Sequence, residues 1–198
     1  MAAPRVVAYD PVWPVIAVAW ISRTRAALSV SGIATRGAPE HIGSTAVPGL
    51  AAKPYLDLQL LVEELPDAHR LESALAGLGF RRTLGSRPDS PGVHADIPRP
   101  GCRGERHEKL LLYADLSDSS GPIEGVILHV RLADSSFADF VIAFRDWLRV
   151  DQGGRAEYQR LKRALAEEMA DAADYDDYTR AKSAFMDHAQ RMMGWTGS

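Results

Sequence analysis

The stretch His41–Leu60 reads H-I-G-S-T-A-V-P-G-L-A-A-K-P-Y-L-D-L-Q-L and decides the fold. The residues around its start, Glu40–Ile42, are typical of the end of a strand. Its second half predicts another strand over Tyr55–Val62, because a leucine-rich run begins after Pro54 and ends at an acidic pair. The segment between the two strands consists mainly of small residues and predicts a tight turn that opens a short helix.

Two features of this stretch indicate chemistry. Gly43 allows a ligand to approach the backbone, and Ser44 and Thr45 offer hydroxyl groups and free amides at the start of a helix, where anions bind favourably. Asp57 lies in the middle of an apolar strand, where an ionised carboxylate is costly unless a cation or hydrogen-bond donors meet it. Asp57 is therefore either a functional group or a carboxylate held in buried hydrogen bonds.

Length and composition restrict the class of protein. The 198 residues are 46% hydrophobic and 25% charged, which is typical of an ordinary globular protein and predicts one domain over residues 1–198. A net charge of −3 argues against general nucleic-acid binding. The single cysteine favours the reducing cytoplasm, and the start of the sequence lacks the regions of a signal peptide. The most apolar run, Val12–Ile21, contains a proline and is too short to span a membrane.

Periodicity predicts the remaining elements, with a helical C-terminal part from about residue 135. Strands alternate with helices early in the chain, which favours a mixed sheet with His41–Leu60 at its centre. The predicted helices are Val15–Leu28, Pro66–Leu78, Ser136–Val150, Arg155–Met169 and Ala173–Met193, and the further strands are Phe80–Leu84, Lys109–Ala114 and Val126–Leu132.

A long loop is predicted over Gly85–Gly104, which is dense in proline, glycine and polar residues. Loops of this length in compact domains are usually functional or disordered. Two interpretations remain open: a solvated flap, or a lid over the Gly-Ser turn at Gly43.

The whole pattern resembles a known family. A Gly-Ser turn followed by a strand that carries Asp57 resembles the nucleotidyltransferase superfold, whose signature has an acidic pair in D-x-[DE] spacing, and H-I-G-S-T-A-V-P-G-L-A-A-K-P-x-x-D resembles the GrpB family more narrowly. The resemblance implies an α+β fold, with a nucleotidyltransferase-like mixed β-sheet flanked by helices and followed by C-terminal helices. Further motifs that match are Tyr9-Asp10-Pro11, Trp13-Pro14, Leu128-His129-Val130, Phe144–Arg149, Tyr158, Leu161-Lys162, Tyr178 and Lys182.

The resemblance also implies roles for strand residues. In the superfold the position of Asp57 binds a divalent cation, Mg²⁺, that bridges the phosphates of ATP or another nucleoside triphosphate. Gln59 occupies the place of the second carboxylate, and a neutral amide supplies no charge to hold the cation. His129 lies where a third acidic residue often stands, so it is a candidate metal ligand, acid or base, or else a core histidine.

Basic residues complete the candidate site. Lys53 precedes the Asp57 strand and is able to neutralise a phosphate or pair with a carboxylate. We expect Ser44, Asp57 and His129 to line one pocket with at least one residue of the basic set, which consists of Arg145, Arg149, Lys162 and Lys182. The alternative for this set is a group of surface ion pairs that each contribute little to stability.

The sequence leaves three interpretations of the function open, and each involves a small molecule. The first is a nucleotidyltransferase-like transferase that uses a nucleoside triphosphate and a metal. The second is a non-catalytic binding or accessory module, which suits the fusion of GrpB-like domains to a coenzyme A biosynthetic kinase. The third is an enzyme that uses the same cleft without a nucleotide. Gln59 separates the first from the other two, and the oligomeric state stays open.

Overall fold

The computed structural model describes residues 5–85, 89–101, 107–169 and 180–197. Within these ranges no helix is both long and apolar enough to cross a lipid bilayer. The helices are α1 Trp13–Val30, α2 Ala68–Leu75, α3 Ser136–Val150, α4 Gln152–Glu168 and α5 Ser183–Met192. The strands are β1 Glu40–Ile42, β2 Tyr55–Val62, β3 Phe80–Arg82, β4 Lys109–Asp115 and β5 Gly125–Leu132.

The five strands form one mixed sheet in the order β1-β2-β5-β4-β3. β2 and β5 are parallel, and the other neighbouring pairs are antiparallel. The predicted α+β class with a mixed sheet flanked by helices is confirmed. The expectation that His41–Leu60 lies at the centre of the sheet is wrong, because β1 is an edge strand of three residues and β5 is the middle strand.

Strand alternation gives the sheet two different faces. On one face, apolar side chains of β2, β4 and β5 pack against α1 and α2 around Trp13, Trp20 and Leu71, and form the larger core. On the opposite face, polar residues alternate with these apolar ones. We call this second surface the polar face, and its members are Asp57, Gln59, Lys109, His129 and Arg131.

The C-terminal helices form a second core together with the segment after β1. Phe140, Phe144 and Tyr158 pack there with Val47 and Leu50. The predicted boundaries of α3 are confirmed. α4 begins three residues earlier than predicted, because the carboxylate of its N-cap residue accepts a hydrogen bond from the backbone amide of Gly154. Part of the predicted last helix, including Tyr178, lies outside the described residues.

The described part of the long loop, residues 89–101, does not behave as a solvated flap. Asp96 and Arg99 are only 5% and 3% exposed. The backbone of this segment pairs with the start of β4 through the bridge between Ala95 and Glu108. The Arg99 guanidinium forms an ion pair with Asp187 on α5. This segment is therefore packed between the sheet and the last helix, and the interpretation as a solvated flap is wrong for it.

Candidate functional site

Asp57 and His129 meet on the polar face of the sheet. The parallel register of β2 and β5 places His129 opposite Gln59, next to Asp57 on the same face. His129 Nε2 lies 3.3 Å from Asp57 Oδ1. Their side chains are 16% and 30% exposed, so solvent and small ligands reach both. The structure thus brings together the two predicted catalytic candidates from strands that are far apart in the sequence.

The turn after β1 packs directly against the Asp57 carboxylate. Gly43 adopts a left-handed φ of 72°, and a Cβ atom added there would lie 2.4 Å from Asp57 Oδ2. The helix predicted after Gly43 is a single 3-10 turn, Ser44–Ala46. A turn of this length has little dipole, so the proposed helix N-terminus contributes less to anion binding than the sequence suggests. The packing brings Gly43 against Asp57, whereas a place for Ser44 in the pocket stays a prediction.

Replacing Gly43 with alanine should therefore destabilise the protein and displace Asp57. Gly49 provides a matched control, because its φ is 77° but no atom lies within 4 Å of an added Cβ. Both variants carry the cost of an alanine at positive φ, about 1 kcal/mol or more. Only Gly43→Ala also collides with the carboxylate. We expect chemical denaturation to show a larger loss of stability for Gly43→Ala, and equal losses would contradict the contact.

His41 and Thr45 hold this turn to β2. The Thr45 hydroxyl donates to the Tyr55 carbonyl oxygen at 3.1 Å, so it accepts from His41 Nε2 at 2.9 Å. Burial, together with the charges of Arg149 and Arg145, lowers the pKa of His41 to about 4 against the opposing charge of Asp57. His41 is therefore neutral near pH 7 and acts as a donor within the turn.

Arg145 and Arg149, two of the predicted ligand-binding residues, contact the turn itself. Arg145 donates to the His41 carbonyl oxygen at 3.0 Å, and Arg149 donates to the Ala46 carbonyl oxygen at 3.1 Å. Both also form ion pairs with Asp146. These contacts support a role in fixing the turn, whereas a contact with ligand stays a prediction.

The lysines gather around Asp57. The sequence contains four lysines, Lys53, Lys109, Lys162 and Lys182, so that 19 of its 23 Lys and Arg residues are arginines (23 − 4). The negative charge of Asp57 raises the pKa of every one of the four lysines, which places all of them within its electrostatic range. The four lysines come from four separate segments, and Lys109 among them pairs directly with Asp96.

Helix α4 positions two of these lysines. Lys162 on α4 donates to the Ala51 carbonyl oxygen and lies 4.8 Å from the centre of the Tyr158 ring. Gln159, also on α4, accepts from the Ala51 amide at 2.8 Å. The segment that carries Lys53 is thereby fixed to the C-terminal helices. Lys162 is 3% exposed, so it supports the site from below the surface, whereas Lys53 is half-buried.

Burial and mutual repulsion shift the pKa values of the lysines near Asp57. Burial, together with the charge of Lys182, lowers the pKa of Lys53 to about 6 and that of Lys162 to about 7. Burial also lowers the pKa of Lys182. Burial raises the pKa of Asp57, but the hydrogen bond from His129 and the charge of Lys182 outweigh it and hold the pKa below its usual range. Asp57 is thus ionised at pH 7.

Gln59, predicted to contact ligand, is buried in the structure. It is 2% exposed, and its Oε1 accepts from Arg131 Nη1 at 2.7 Å. Its Nε2 donates to the Ala138 carbonyl oxygen at 3.2 Å, which ties α3 to the sheet. Both polar ends of the amide already have protein partners. The contacts of Gln59 therefore explain the residue as a link between β2, β5 and α3.

These donors do not fit the divalent cation that Asp57 was predicted to hold. Mg²⁺ requires oxygen ligands and is usually bound by one or two carboxylates together with phosphates. Among the five named residues of the polar face Asp57 is the one carboxylate, its titratable neighbours include His129, His41 and Lys182, and the Gln59 oxygen faces a guanidinium. Within the described ranges no group of three or more His, Cys, Asp or Glu side chains is arranged to hold a metal ion.

One buried ionic cluster was missed by the sequence reasoning. Asp96 accepts from Lys109 Nζ at 2.6 Å and from Arg131 Nε at 2.6 Å and Nη2 at 3.0 Å. The three side chains are 2–3% exposed. Arg131 in the apolar run of β5 could have indicated this cluster, because a charged residue at a buried position requires a partner of opposite charge. We call these three residues the Asp96 cluster.

Solved structures show what the fold is similar to. GrpB from Enterococcus faecalis matches with a TM-score of 0.63 and 26% identity, and the match covers 96% of each chain. The structure of Cid1 in complex with its short product ApU matches with a TM-score of 0.48 and 12% identity over 82% of this chain and 43% of that one.

Curated relatives match over most of the sequence. A protein named dephospho-CoA kinase in Mycolicibacterium paratuberculosis is 31% identical, and the match covers 98% of this chain and 47% of the relative. A UPF0157 protein of Halalkalibacterium halodurans is 30% identical, with 90% and 76% covered. A UPF0157 protein of Pseudomonas aeruginosa is 32% identical, with 87% and 60% covered. The chain spans about half the length of the mycobacterial kinase it matches.

The family model described as GrpB protein matches residues 3–191. This range includes the turn at Gly43, the Asp57 strand, His129 and the lysines of the C-terminal helices. The resemblance noted from the motifs thus extends over nearly the whole chain. Sequence, fold and family model agree, and the chain belongs to the GrpB family.

Proposed function

We propose that this protein binds a small molecule carrying an anionic group next to a hydroxyl or amino group, and that it does so without a divalent cation. One observation carries the proposal: all four lysines of the chain lie within electrostatic range of Asp57. In this arrangement the half-buried Lys53 and Lys182 bind the anionic group of the ligand, and the buried Lys109 and Lys162 add positive potential. Asp57 accepts a hydrogen bond, or a proton, from the neighbouring hydroxyl or amine.

The composition of the chain strengthens this proposal. Several arginines form ion pairs at the surface, as Arg36 and Arg180 do with exposed carboxylates, and Arg145 and Arg149 bind backbone carbonyls of the turn. The four lysines of the chain all lie within electrostatic range of Asp57. An ammonium group is a compact charge whose pKa shifts readily on burial, unlike the guanidinium group. A cluster of lysines can therefore lose protons while the site is empty and regain them when an anion binds.

The transferase that uses a nucleoside triphosphate and Mg²⁺ stays a prediction. The family and the fold favour it, but Gln59 and the surrounding cations do not supply the charge that a metal requires. A triphosphate bound by the lysines alone is a special case of our proposal. A non-catalytic accessory module would bind the same kind of ligand without converting it. Binding experiments therefore test all of these functions.

We expect sulfate to bind without Mg²⁺ and to bind more tightly as the pH falls from 8.5 to 6. Sulfate keeps its charge over this range, so the change reports on the protein. The pKa values of Lys53 and Lys162, about 6 and about 7, leave both amines largely neutral at pH 8.5. An anion favours the protonated amines, so binding takes up protons. Isothermal titration calorimetry in buffers of different ionisation enthalpy measures both effects.

Variants locate the binding within the site. Lys182→Met should weaken sulfate binding about tenfold or more, a loss of at least about 1.4 kcal/mol. Arg180→Met is the matched control, because Arg180 lies two residues away and pairs with the exposed Asp89. Equal effects of the two substitutions would indicate nonspecific attraction. If no small anion binds the wild-type protein at any pH in this range, the proposed function is wrong.

Amine labelling gives a second readout, because the chain has only four lysines. With acetic anhydride at pH 7 and detection by mass spectrometry, we expect Lys53 and Lys182 to be modified and a bound ligand to protect them. Lys109 is 4% exposed and paired with Asp96, so it should stay unmodified with or without ligand. Ligands are ranked by how strongly they protect these lysines from acetylation. A ligand that leaves the labelling of Lys53 and Lys182 unchanged binds elsewhere.

A further inference from the structure

Both ring nitrogens of His129 have polar partners. Nε2 lies 3.3 Å from Asp57 Oδ1. Nδ1 lies 3.2 Å from Lys109 Nζ and 3.3 Å from Arg131 Nη2. The ring is thus placed between one carboxylate on β2 and two cationic groups on β4 and β5.

The chemistry of the partners decides which nitrogen carries the hydrogen. Ammonium and guanidinium groups have donors only, so Nδ1 must accept from Lys109 and Arg131. An ionised carboxylate has acceptors only, so Nε2 must donate to Asp57. A histidine protonated on both nitrogens would place an N–H against two cations. The contacts therefore admit only the neutral ring with its hydrogen on Nε2.

Asp96 keeps the two donors in place. Its Oδ1 accepts from both Lys109 and Arg131, and its Oδ2 accepts from Arg131 Nε. Gln59 holds the remaining arm of the Arg131 guanidinium at 2.7 Å. Asp96 comes from the segment before β4. This loop residue does not contact Asp57, but through Lys109 and Arg131 it controls His129, which does.

We infer that Asp96, Lys109 and Arg131 are positioning residues that fix His129 as its neutral Nε2–H tautomer. His129 then donates a hydrogen bond to Asp57 and is not itself an acid, a base or a metal ligand in this state. Asp57 is the side chain of the pair that accepts a proton. This last role rests on the proposed function, whereas the tautomer follows from the contacts alone.

The electrostatics of the site agree with this assignment. Burial and the charges of Lys109 and Arg131 lower the pKa of His129 to about 4 against the opposing effect of Asp57. Of the groups that face the ring, the two cations therefore prevail over the one carboxylate. His129 stays neutral throughout the range in which Lys53 and Lys162 titrate.

Nitrogen NMR tests the tautomer directly. Long-range ¹H–¹⁵N correlation spectra of ¹⁵N-histidine-labelled protein distinguish a protonated from an unprotonated ring nitrogen, and His129→Gln identifies the signals by their loss. We expect His129 to show a protonated Nε2 and an unprotonated Nδ1 from pH 8 down to pH 5.5. A protonated Nδ1, or a ring that titrates near the ordinary pKa of about 6.5, would overturn the inference.

Lys109→Met tests whether the Asp96 cluster sets this state. The substitution removes one donor to Nδ1 and one positive charge, while Asp96 and Arg131 still pair with each other. We expect the pKa of His129 to rise by at least one unit. Arg36→Met, which removes an exposed ion pair with Glu63, should leave it unchanged. An unchanged His129 pKa in folded Lys109→Met would refute the positioning role, and if this variant does not fold, the wild-type titration decides alone.

Sulfate titration of the same variants separates this inference from the proposed function. If His129 shows the Nε2–H tautomer but no anion binds, the proposed function fails and the positioning role stands. If sulfate binds but His129 is protonated on Nδ1, the positioning role fails and the lysine site stands.

Discussion

Replacing Asp96 with asparagine is expected to lower the free energy of unfolding by about 3–5 kcal/mol at pH 7, since the change leaves buried charges without their partner. Lys109 and Arg131 would face a neutral amide in a region where the side chains are only 2–3% exposed. Urea denaturation followed by circular dichroism measures the loss. Glu63→Gln is the control, because it removes an exposed ion pair with Arg36 and should cost less than about 1 kcal/mol.

The difference between wild type and Asp96→Asn should depend on pH in a defined direction. The positive charges of Arg131 and Lys109, together with their hydrogen bonds, outweigh burial and hold the pKa of Asp96 far below its usual range. A carboxyl group with a lowered pKa in the folded state stabilises the protein above its unfolded pKa of about 3.9. That stabilisation is lost as the pH falls below this value. The two proteins should thus converge in acid, and a constant difference down to pH 2 would contradict the ionic cause.

Asp57→Asn should strengthen sulfate binding, although it removes the most prominent side chain of the site. Sulfate offers Asp57 no hydrogen to accept, so the two negative charges only repel each other. For charges about 4 Å apart this repulsion amounts to about 1 kcal/mol in water and about 4 kcal/mol near a protein surface. We expect a gain in affinity of about tenfold by calorimetry at pH 7, or about 1.4 kcal/mol. A loss of sulfate binding would show that Asp57 holds the ligand by another means.

The same variant separates a lysine site from a metal–nucleotide site. If ATP binds through Mg²⁺, Asp57→Asn should abolish Mg²⁺-dependent binding and Gln59→Asp should strengthen it by adding a carboxylate. In the structure the side chain of residue 59 lies against Arg131 and the Ala138 carbonyl oxygen. We therefore expect Gln59→Asp to give no gain with ATP and Mg²⁺. A gain in this variant would favour the transferase.

Much of the fold could be predicted from the sequence because local patterns determine it. The leucine-rich run bounded by Pro54 predicts β2, and the boundaries of α3 follow from its apolar stripe. The candidate pair of Asp57 and His129 was also accessible, since each is a polar residue within an apolar strand. A polar residue at such a position requires a partner, and the structure shows that these two are partners of each other.

The remainder depends on contacts between distant segments. Asp96 lies in a loop whose composition is typical of solvated chain, and only its pairing with two strands makes it a core residue. Likewise, Arg145 and Arg149 share motifs with the family, but their partners are backbone carbonyls of the turn after β1. The edge position of β1 follows from strand order, which residue patterns do not encode. Lysine frequency was a usable signal, because four lysines against 19 arginines (23 − 4) is an unusual ratio.

The parallel pairing of β2 with β5 has a consequence for how the chain folds. Asp57 and His129 are separated by 72 residues, and the antiparallel hairpin of β4 and β5 forms from much closer segments. Closing the longer loop costs more chain entropy and slows folding. The hairpin can therefore form early, while Asp57 reaches His129 only when β2 docks. Lys182 lies further along the chain still, so the group of lysines around Asp57 is complete only when segments from both halves of the chain have come together.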